Sequence, residues 1–131
     1  MPKQKSDAMG DLPRLERAIA RSEFDAIVAV SPENVRYAGD VYIGTQTTLR
    51  DRLALIVMPK GQDPVFLVCW AEASYVRAET WIRDVRSYRE FEESPVDALA
   101  AILRELKLDQ AHVAIETEYL AALYFNRLVE L

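Results

Sequence analysis

Histidine and cysteine are almost missing from this chain: its 131 residues include one of each, His112 and Cys69. A single cysteine excludes an intramolecular disulfide and any cysteine-built zinc cluster, and it fits a reducing, cytoplasmic compartment. A single histidine excludes the i, i+4 pair of a zinc-protease helix. Glycine stands only at positions 10, 39, 44 and 61, which give neither a P-loop nor a Gly-x-Gly-x-x-Gly turn. No apolar run reaches the ~18–20 residues of a membrane span, and no apolar stretch follows the polar first residues as it would in a signal peptide. Basic side chains number 16 against 21 acidic, a net charge of −5. That balance argues against nucleic acid or an anionic membrane as the main partner, because phosphate binding needs a surplus of Lys and Arg.

What is present describes one globular domain. Half of the residues are hydrophobic and 28% are charged, which excludes a disordered tail, a collagenous chain and a coiled coil. After a frayed N-terminus over residues 1–11, Asp11 can cap a helix from Leu12 to Ser22, with Leu12, Leu15 and Ile19 on one stripe. The apolar run Asp25–Val30 reads as a strand buried on both faces. Ser31-Pro32-Glu33-Asn34 then carries N-cap, N1 and first-turn chemistry for a short helix through Ala38. Strands are expected at 52–58 and 65–70, joined by the turn-forming stretch Pro59–Pro64. A helix at 71–80, a strand at 82–88, an amphipathic helix after Ser94, a strand at 112–116 and a helix from about Tyr119 to Leu131 complete the chain. Helices and strands alternate except at the one hairpin, so the expected architecture is an α/β sandwich on a mixed five-stranded sheet with one antiparallel strand.

Most candidate chemistry dissolves on inspection. His112 sits at a strand head between Ala111 and Val113, which suits a structural role better than a ligand. Cys69 lies in an apolar strand with no base in sequence to activate it. Ser31 and Ser94 are helix caps, and no serine has a Gly-x-Ser-x-Gly setting. Glu90, Glu92 and Glu93 read as a solvated loop, and Trp70, Trp81 and Tyr88 as packing residues. The exception is the stretch from Gly39 to Asp51, which has no clear period and holds Tyr42, Gln46 and three threonines before Arg50-Asp51-Arg52. Irregular connections longer than ~12 residues usually bind something or are disordered. Two arginines at a strand start can hold a carboxylate bidentately, or they can pair with surface acids.

One set of residues forms a recognisable unit: Arg14-Leu-Glu-Arg17, then Asp25-Ala-Ile-Val-Ala-Val-Ser-Pro-Glu-Asn-Val-Arg-Tyr37. It resembles the N-terminal domain of the creatinase, prolidase and aminopeptidase P family, whose pattern is a buried strand, Ser-Pro-x-Asn-x-x-Tyr, a loop, and an Arg before the next apolar strand. Leu53–Pro59, Pro64–Trp70, Trp81–Val85 and Val113–Glu116 fit as well, so the resemblance spans 12–131. It implies a three-layer, ribonuclease-H-like α/β domain with strand order 3-2-1-4-5 and strand 2 antiparallel. It also implies that the catalytic pita-bread domain, with two Asp, one His and two Glu on two divalent metals (Mn, Co or Zn), lies outside this chain. This domain would then hold no catalytic residue and no metal. It would contribute oligomer contacts and a wall of the substrate cleft to a cytoplasmic, homodimeric Xaa-Pro dipeptidase or aminopeptidase.

Relatives also use an Arg before the second strand to hold a substrate carboxylate, and Arg50 or Arg52 occupies that region, with Tyr42 nearby. Where relatives read Tyr-Leu-Thr-Gly-Phe, this chain reads Tyr37-Ala-Gly-Asp-Val41, which moves the glycine and replaces the aromatic. The competing readings are the same domain in a creatinase-like amidinohydrolase, and a stand-alone binding or assembly module without catalysis.

Overall fold

The computed structural model describes residues 3–131; Met1 and Pro2, within the stretch expected to fray, lie outside the described residues. Helix α1 (Leu12–Arg21) starts under Asp11, whose carboxylate accepts the Arg14 N–H at 3.1 Å. Strand β1 (Ala26–Ala29) leads to α2 (Pro32–Gly39), which starts under the Ser31 hydroxyl and ends at Asp40 in the left-handed region, φ 54°. Asp visits that region because its short polar side chain can bond locally. The expected irregular loop 39–51 contains a further short helix, α3 (Gly44–Thr48). Five residues are too few for a helical period to show in sequence.

Strands β2 (Leu55–Pro59) and β3 (Val65–Cys69) form the expected hairpin, and Gly61 supplies the positive φ of 73° in its turn. A 3-10 turn at Trp70–Glu72 precedes α4 (Ala73–Glu79), followed by β4 (Asp84–Tyr88). Helix α5 (Pro95–Glu105) starts under Ser94, and β5 (Val113–Ile115) and α6 (Ala122–Glu130) complete the chain. Asp97 does not close a reciprocal cap with Ser94; its carboxylate takes Arg127 at 3.1 Å and ties α5 to α6. Helix α6 begins at Ala122 rather than near Tyr119, because the N–H groups of Tyr119 and Leu120 first turn back onto the Glu116 carbonyl.

The five strands form one mixed sheet in the order β4-β3-β2-β1-β5, and β2 alone runs antiparallel to its neighbours. The adjacency β3-β2-β1 and the antiparallel second strand are as expected. The fourth strand is placed differently from the order 3-2-1-4-5: it lies outside β3 at the sheet edge, not beside β1. The short α4 connection delivers β4 parallel to β3 in the adjacent position, whereas a place beside β1 would require crossing both β2 and β1. The middle position consequently belongs to β2, and β1 is interior between β2 and β5.

Alternation along the strands makes two cores. Val28, Leu55, Val57 and Leu67 face Leu99, Ile102 and Leu103 of α5. Ala29, Ile56, Phe66 and Val68 face Val35 of α2 and Val76 of α4. Gly39 lets α2 lie close to the second core, since a Cβ there would stand 2.6 Å from the Phe66 ring. That approach explains the glycine of Tyr37-Ala-Gly-Asp-Val41.

The Ser31-Pro32-Glu33-Asn34 motif does more than start a helix. Beyond the end of β1, the N–H groups of Val30 and Ser31 both donate to Oε2 of Glu116, which follows β5. The Ser31 hydroxyl (2.8 Å) and the Asn34 amide (2.6 Å) both donate to Oε1. The Ser31 oxygen in turn accepts the Asn34 N–H. Burial pushes the Glu116 carboxyl up, but the backbone donors of Val30 and Ser31 and the side chains of Ser31 and Asn34 outweigh it, so its pKa lies below the usual carboxylate range. The Val30 carbonyl accepts from buried Gln46 of α3 at 2.9 Å. Both polar groups of Val30 are thus satisfied by side chains distant in sequence.

Two outcomes follow for stability. Val28 is fully buried and pairs with Val57 and Ile115. An unpaired buried charge costs roughly 3–5 kcal/mol, a large share of the ~5–15 kcal/mol a domain carries, so Val28→Asp should abolish the cooperative thermal melt. Retention of the melt within a few degrees would contradict this packing. Because the folded pKa of Glu116 is depressed, its stabilisation is present above the unfolded value of ~4.3 and is lost as pH falls through the folded value. Glu116→Gln sets an amide against two of the four donors and should cost roughly 1.5–3 kcal/mol at pH 7. Urea titrations of parent and variant between pH 7 and 3 should converge on acidification; a constant gap would show that the ionised form is not what matters.

Candidate functional site

Strands β1, β3, β4 and β5 share a direction, so their C-terminal ends lie along one edge of the sheet together with the start of β2. In open α/β sheets this is the edge where ligands bind, because the loops leaving the strands gather there. Arg50, Arg52 and Tyr42 all fall on segments entering or leaving this edge, and they have three different environments.

Arg52 is held on three sides. Its Nε and Nη2 donate to the two carboxylate oxygens of Glu90 at 2.5 and 3.0 Å, and its Nη1 donates to Glu72 at 3.3 Å. The hydrogen bonds to Glu90 hold the guanidinium above its ordinary pKa and hold the Glu90 carboxyl below its own. Glu72 also accepts the Thr45 hydroxyl at 2.7 Å, and the Cys69 thiol lies 3.8 Å from Glu90. One ion-pair network therefore joins α3, the start of β2 and the ends of β3 and β4. Glu90 is not part of a solvated acidic loop; only its neighbours Glu92 and Glu93 are exposed.

Arg50 is exposed. Among the described residues it makes one hydrogen bond, from Nη2 to the Tyr119 carbonyl at 2.9 Å, and its guanidinium lies 4.9 Å from the centroid of the Tyr119 ring. Of the five N–H donors of a guanidinium, one is used. Arg50 and Arg52 line a common depression of about 710 Å³ with Leu49, Tyr88, Phe91 and Tyr124. Phe91 is 97% exposed and has a left-handed φ of 71°, a conformation uncommon for a bulky residue. Tyr88 is buried, and its hydroxyl donates to the Leu53 carbonyl at 2.7 Å.

Tyr42 does not line this depression. It is exposed, its carbonyl accepts from the Tyr75 hydroxyl at 3.0 Å, and Arg36 lies 5.2 Å from its ring centroid. The structure thus brings the two arginines together and leaves Tyr42 apart. Tyr119, Glu72 and Glu90 were not singled out from sequence for this site. Their side chains are ordinary in sequence, and only the strand order makes them neighbours of the arginines.

The remaining candidates are structural. His112 exchanges backbone contacts with Asp25, donating its N–H to the Asp25 carboxylate at 2.9 Å and accepting the Asp25 N–H at 2.7 Å. Trp81 packs as expected and donates to the Ala38 carbonyl at 2.8 Å, whereas Trp70 is more than half exposed with Arg89 against its ring. Among the described residues, no three His, Cys, Asp or Glu side chains gather to hold a metal ion. The nearest approach, Cys69, Glu72 and Glu90, surrounds a guanidinium that a dication would have to displace. A divalent cation therefore does not fit these residues. No described helix is long and apolar enough to cross a membrane.

None of the curated proteins matches the chain. Among solved structures, the N-terminal domain of an Xaa-Pro dipeptidase from Lactobacillus brevis superposes with a TM-score of 0.76 at 19% identity, over 91% of this chain and 85% of that one. A proline dipeptidase from Streptococcus pneumoniae TIGR4 gives a TM-score of 0.73 at 18% identity, over 93% and 84%. An Xaa-Pro dipeptidase from Bacillus anthracis gives 0.70 at 13% identity over 91% of this chain, which spans 30% of that longer protein. At such identities these likenesses establish the fold. Residues 12–131 match the family described as the creatinase/prolidase N-terminal domain, and the chain belongs to that family.

Proposed function

We propose that this domain is the non-catalytic N-terminal part of a cytoplasmic Xaa-Pro dipeptidase-like metallohydrolase, in which it forms a wall of the substrate cleft and contributes contacts to a homodimer. In this reading the two divalent metals (Mn, Co or Zn) and the hydrolytic chemistry reside in a second, C-terminal domain. Family membership over 12–131 supports it, as do dipeptidase neighbours of the same fold.

The observation that carries the reading further is the unequal state of the two arginines. Arg52 has every guanidinium nitrogen engaged by Glu90 or Glu72. Recruiting it to a substrate would break charge-assisted bonds already made. Arg50 stands exposed at the same depression with most of its donors unused. It is the arginine we assign to the carboxylate end of a peptide. A creatine-like substrate also ends in a carboxylate, so the assignment holds for an amidinohydrolase as well; turnover of Xaa-Pro peptides against creatine separates the two.

The test uses the full-length protein that carries this domain. A charge-assisted bond to a carboxylate is worth roughly 1.5–3 kcal/mol, so Arg50→Ala should lower kcat/KM about ten- to a hundred-fold on free-acid substrates. Amidated substrates should show no such loss, and metal content should stay constant. Arg52→Ala should instead lower the melting temperature, because it leaves Glu72 and Glu90 facing each other without their cation. If Arg50→Ala treats both substrate classes as the parent does, the carboxylate assignment falls.

The isolated domain offers a second check. After exhaustive dialysis it should retain no stoichiometric Mn, Co or Zn by elemental analysis. A tightly held metal with peptidase activity would overturn the non-catalytic assignment.

A further inference from the structure

At the opposite end of the molecule from the arginines, a cavity of about 570 Å³ opens between α1, the β2–β3 hairpin and the segment before β4. Its walls are Leu15 and Ile19 of α1, Ile56 and Met58 of β2, and Trp81 with Ile82. Ile19, Ile56 and Ile82 are buried, but Leu15, Met58 and Trp81 are only partly covered although all three pack against the core. The volume is that of a small-molecule site, which ranges over ~300–1,000 Å³. Nothing in the proposed peptidase role uses it.

A strap crosses the mouth. The 3-10 turn Lys5–Asp7 buries no residue of its own. Lys5 pairs with Glu16 of α1 and lies 5.5 Å from the centroid of the Trp81 ring. On either side the strap is held by Lys3 to the Asp40 carboxylate at 3.0 Å, the Met9 N–H to Asp40 at 3.1 Å, the Asp11 N–H to the Tyr37 hydroxyl at 2.8 Å, and Gly10 lying close against the Tyr37 ring. The Lys5–Glu16 pair is exposed and contributes little, ~0–1 kcal/mol, whereas the Lys3–Asp40 pair is largely covered and holds the strap's start in place. Lys5 can therefore swing off the mouth by giving up one weak pair, without disturbing either core.

We propose that this cavity is a binding site for an uncharged, planar apolar molecule, gated by the Lys5 strap. The charge at the mouth decides against an ionic ligand. Lys5 and Glu16 already neutralise each other, Arg17 and Asp63 add one charge of each sign, and the interior offers a charge no partner. An ion drawn inside would lose its hydration uncompensated. The Trp81 ring favours a flat molecule, because its indole N–H is committed to the Ala38 carbonyl and the ring is fixed in place as a stacking surface. The ligand would displace Lys5 from that ring and cover the exposed parts of Leu15 and Met58.

The probe is N-phenyl-1-naphthylamine, a neutral planar fluorophore, added to the Trp70→Phe chain so that Trp81 is the remaining tryptophan of the two. The expected result is saturable, one-to-one quenching of Trp81 with energy transfer to the probe. Leu15→Phe and Met58→Phe narrow the cavity from opposite walls at partly covered positions. Each should weaken binding at least ten-fold, with circular dichroism confirming the fold and either variant sufficient if the other fails it. Lys5→Ala should speed association several-fold. Absence of saturable quenching overturns the site, as does binding that both narrowed variants leave unchanged, which would mean adsorption elsewhere. Association that is no faster in Lys5→Ala overturns the gate. None of these readouts depends on peptidase activity, so the site and the peptidase reading fail separately.

Discussion

The arrangement of this domain turns on how the backbone of Val30 is satisfied once it leaves the sheet. β1 is interior, so a buried N–H or C=O just past its end cannot be left to bulk water without a cost of ~1–3 kcal/mol. Glu116 supplies the acceptor from the far side of β5, and Gln46 supplies the donor from α3. One residue therefore couples three connections: the entry to α2, the exit from β5 and the loop ahead of β2. The same carboxylate takes Ser31 and Asn34, which gives the Ser-Pro-x-Asn motif a physical reason. Serine caps the helix and asparagine reaches the carboxylate, while proline fills the position where a missing N–H costs nothing.

From that anchor the candidate site is assembled outward. Gln46 also reaches the Ala54 carbonyl at 3.4 Å, so α3 bridges the diverging ends of β1 and β2. With α3 fixed, Thr45 meets Glu72, and Glu72 meets Arg52. Arg52 therefore serves as the cross-link between β2 and the turns after β3 and β4. Its pairing with both acids ties this rim together, and Arg50, two residues earlier, projects from it onto Tyr119. The two arginines have divided the tasks that their spacing suggests either could do. One holds the loop, and the other faces outward.

Much of this is legible in the sequence, up to identifiable points. The caps at Asp11, Ser31 and Ser94, the hairpin turn at Gly61 and a mixed sheet with one antiparallel strand follow from local chemistry and period, the three layers and the antiparallel second strand from the family resemblance, and all are present. The place of β4 was not legible. Parallel strands of similar composition carry no mark of which neighbour they take, and only the length of the α4 connection decides. Helix α3 was hidden because its one buried side chain, Gln46, is polar and gives no hydrophobic pattern. The pairing of Arg52 with Glu90 spans 38 residues, and nothing near either residue announces it. Tyr42 looked like part of the site because it is close in sequence, but the turn at Asp40 and the rise of α3 carry it toward Tyr75.

The two ends of the sheet also differ in how they are held, and that difference bears on function. At the C-terminal edge, Arg52 bonds Glu72 and Glu90, and Glu116 separately takes Val30, Ser31 and Asn34, so the loops there are tied by charge-assisted bonds. Preorganisation of this kind is what a substrate-positioning wall requires. At the other end, α1 touches the sheet through Leu12, Leu15 and Ile19, and the gap beside it is spanned by polar contacts of the strap. Large apolar side chains half-covered around a cavity are a weaker arrangement than the dense core beneath α5, where Leu99 and Ile102 are buried. The two ends are therefore held by different chemistry: ion pairs and backbone donors tie the loops at one, and partly covered apolar side chains line the cavity at the other.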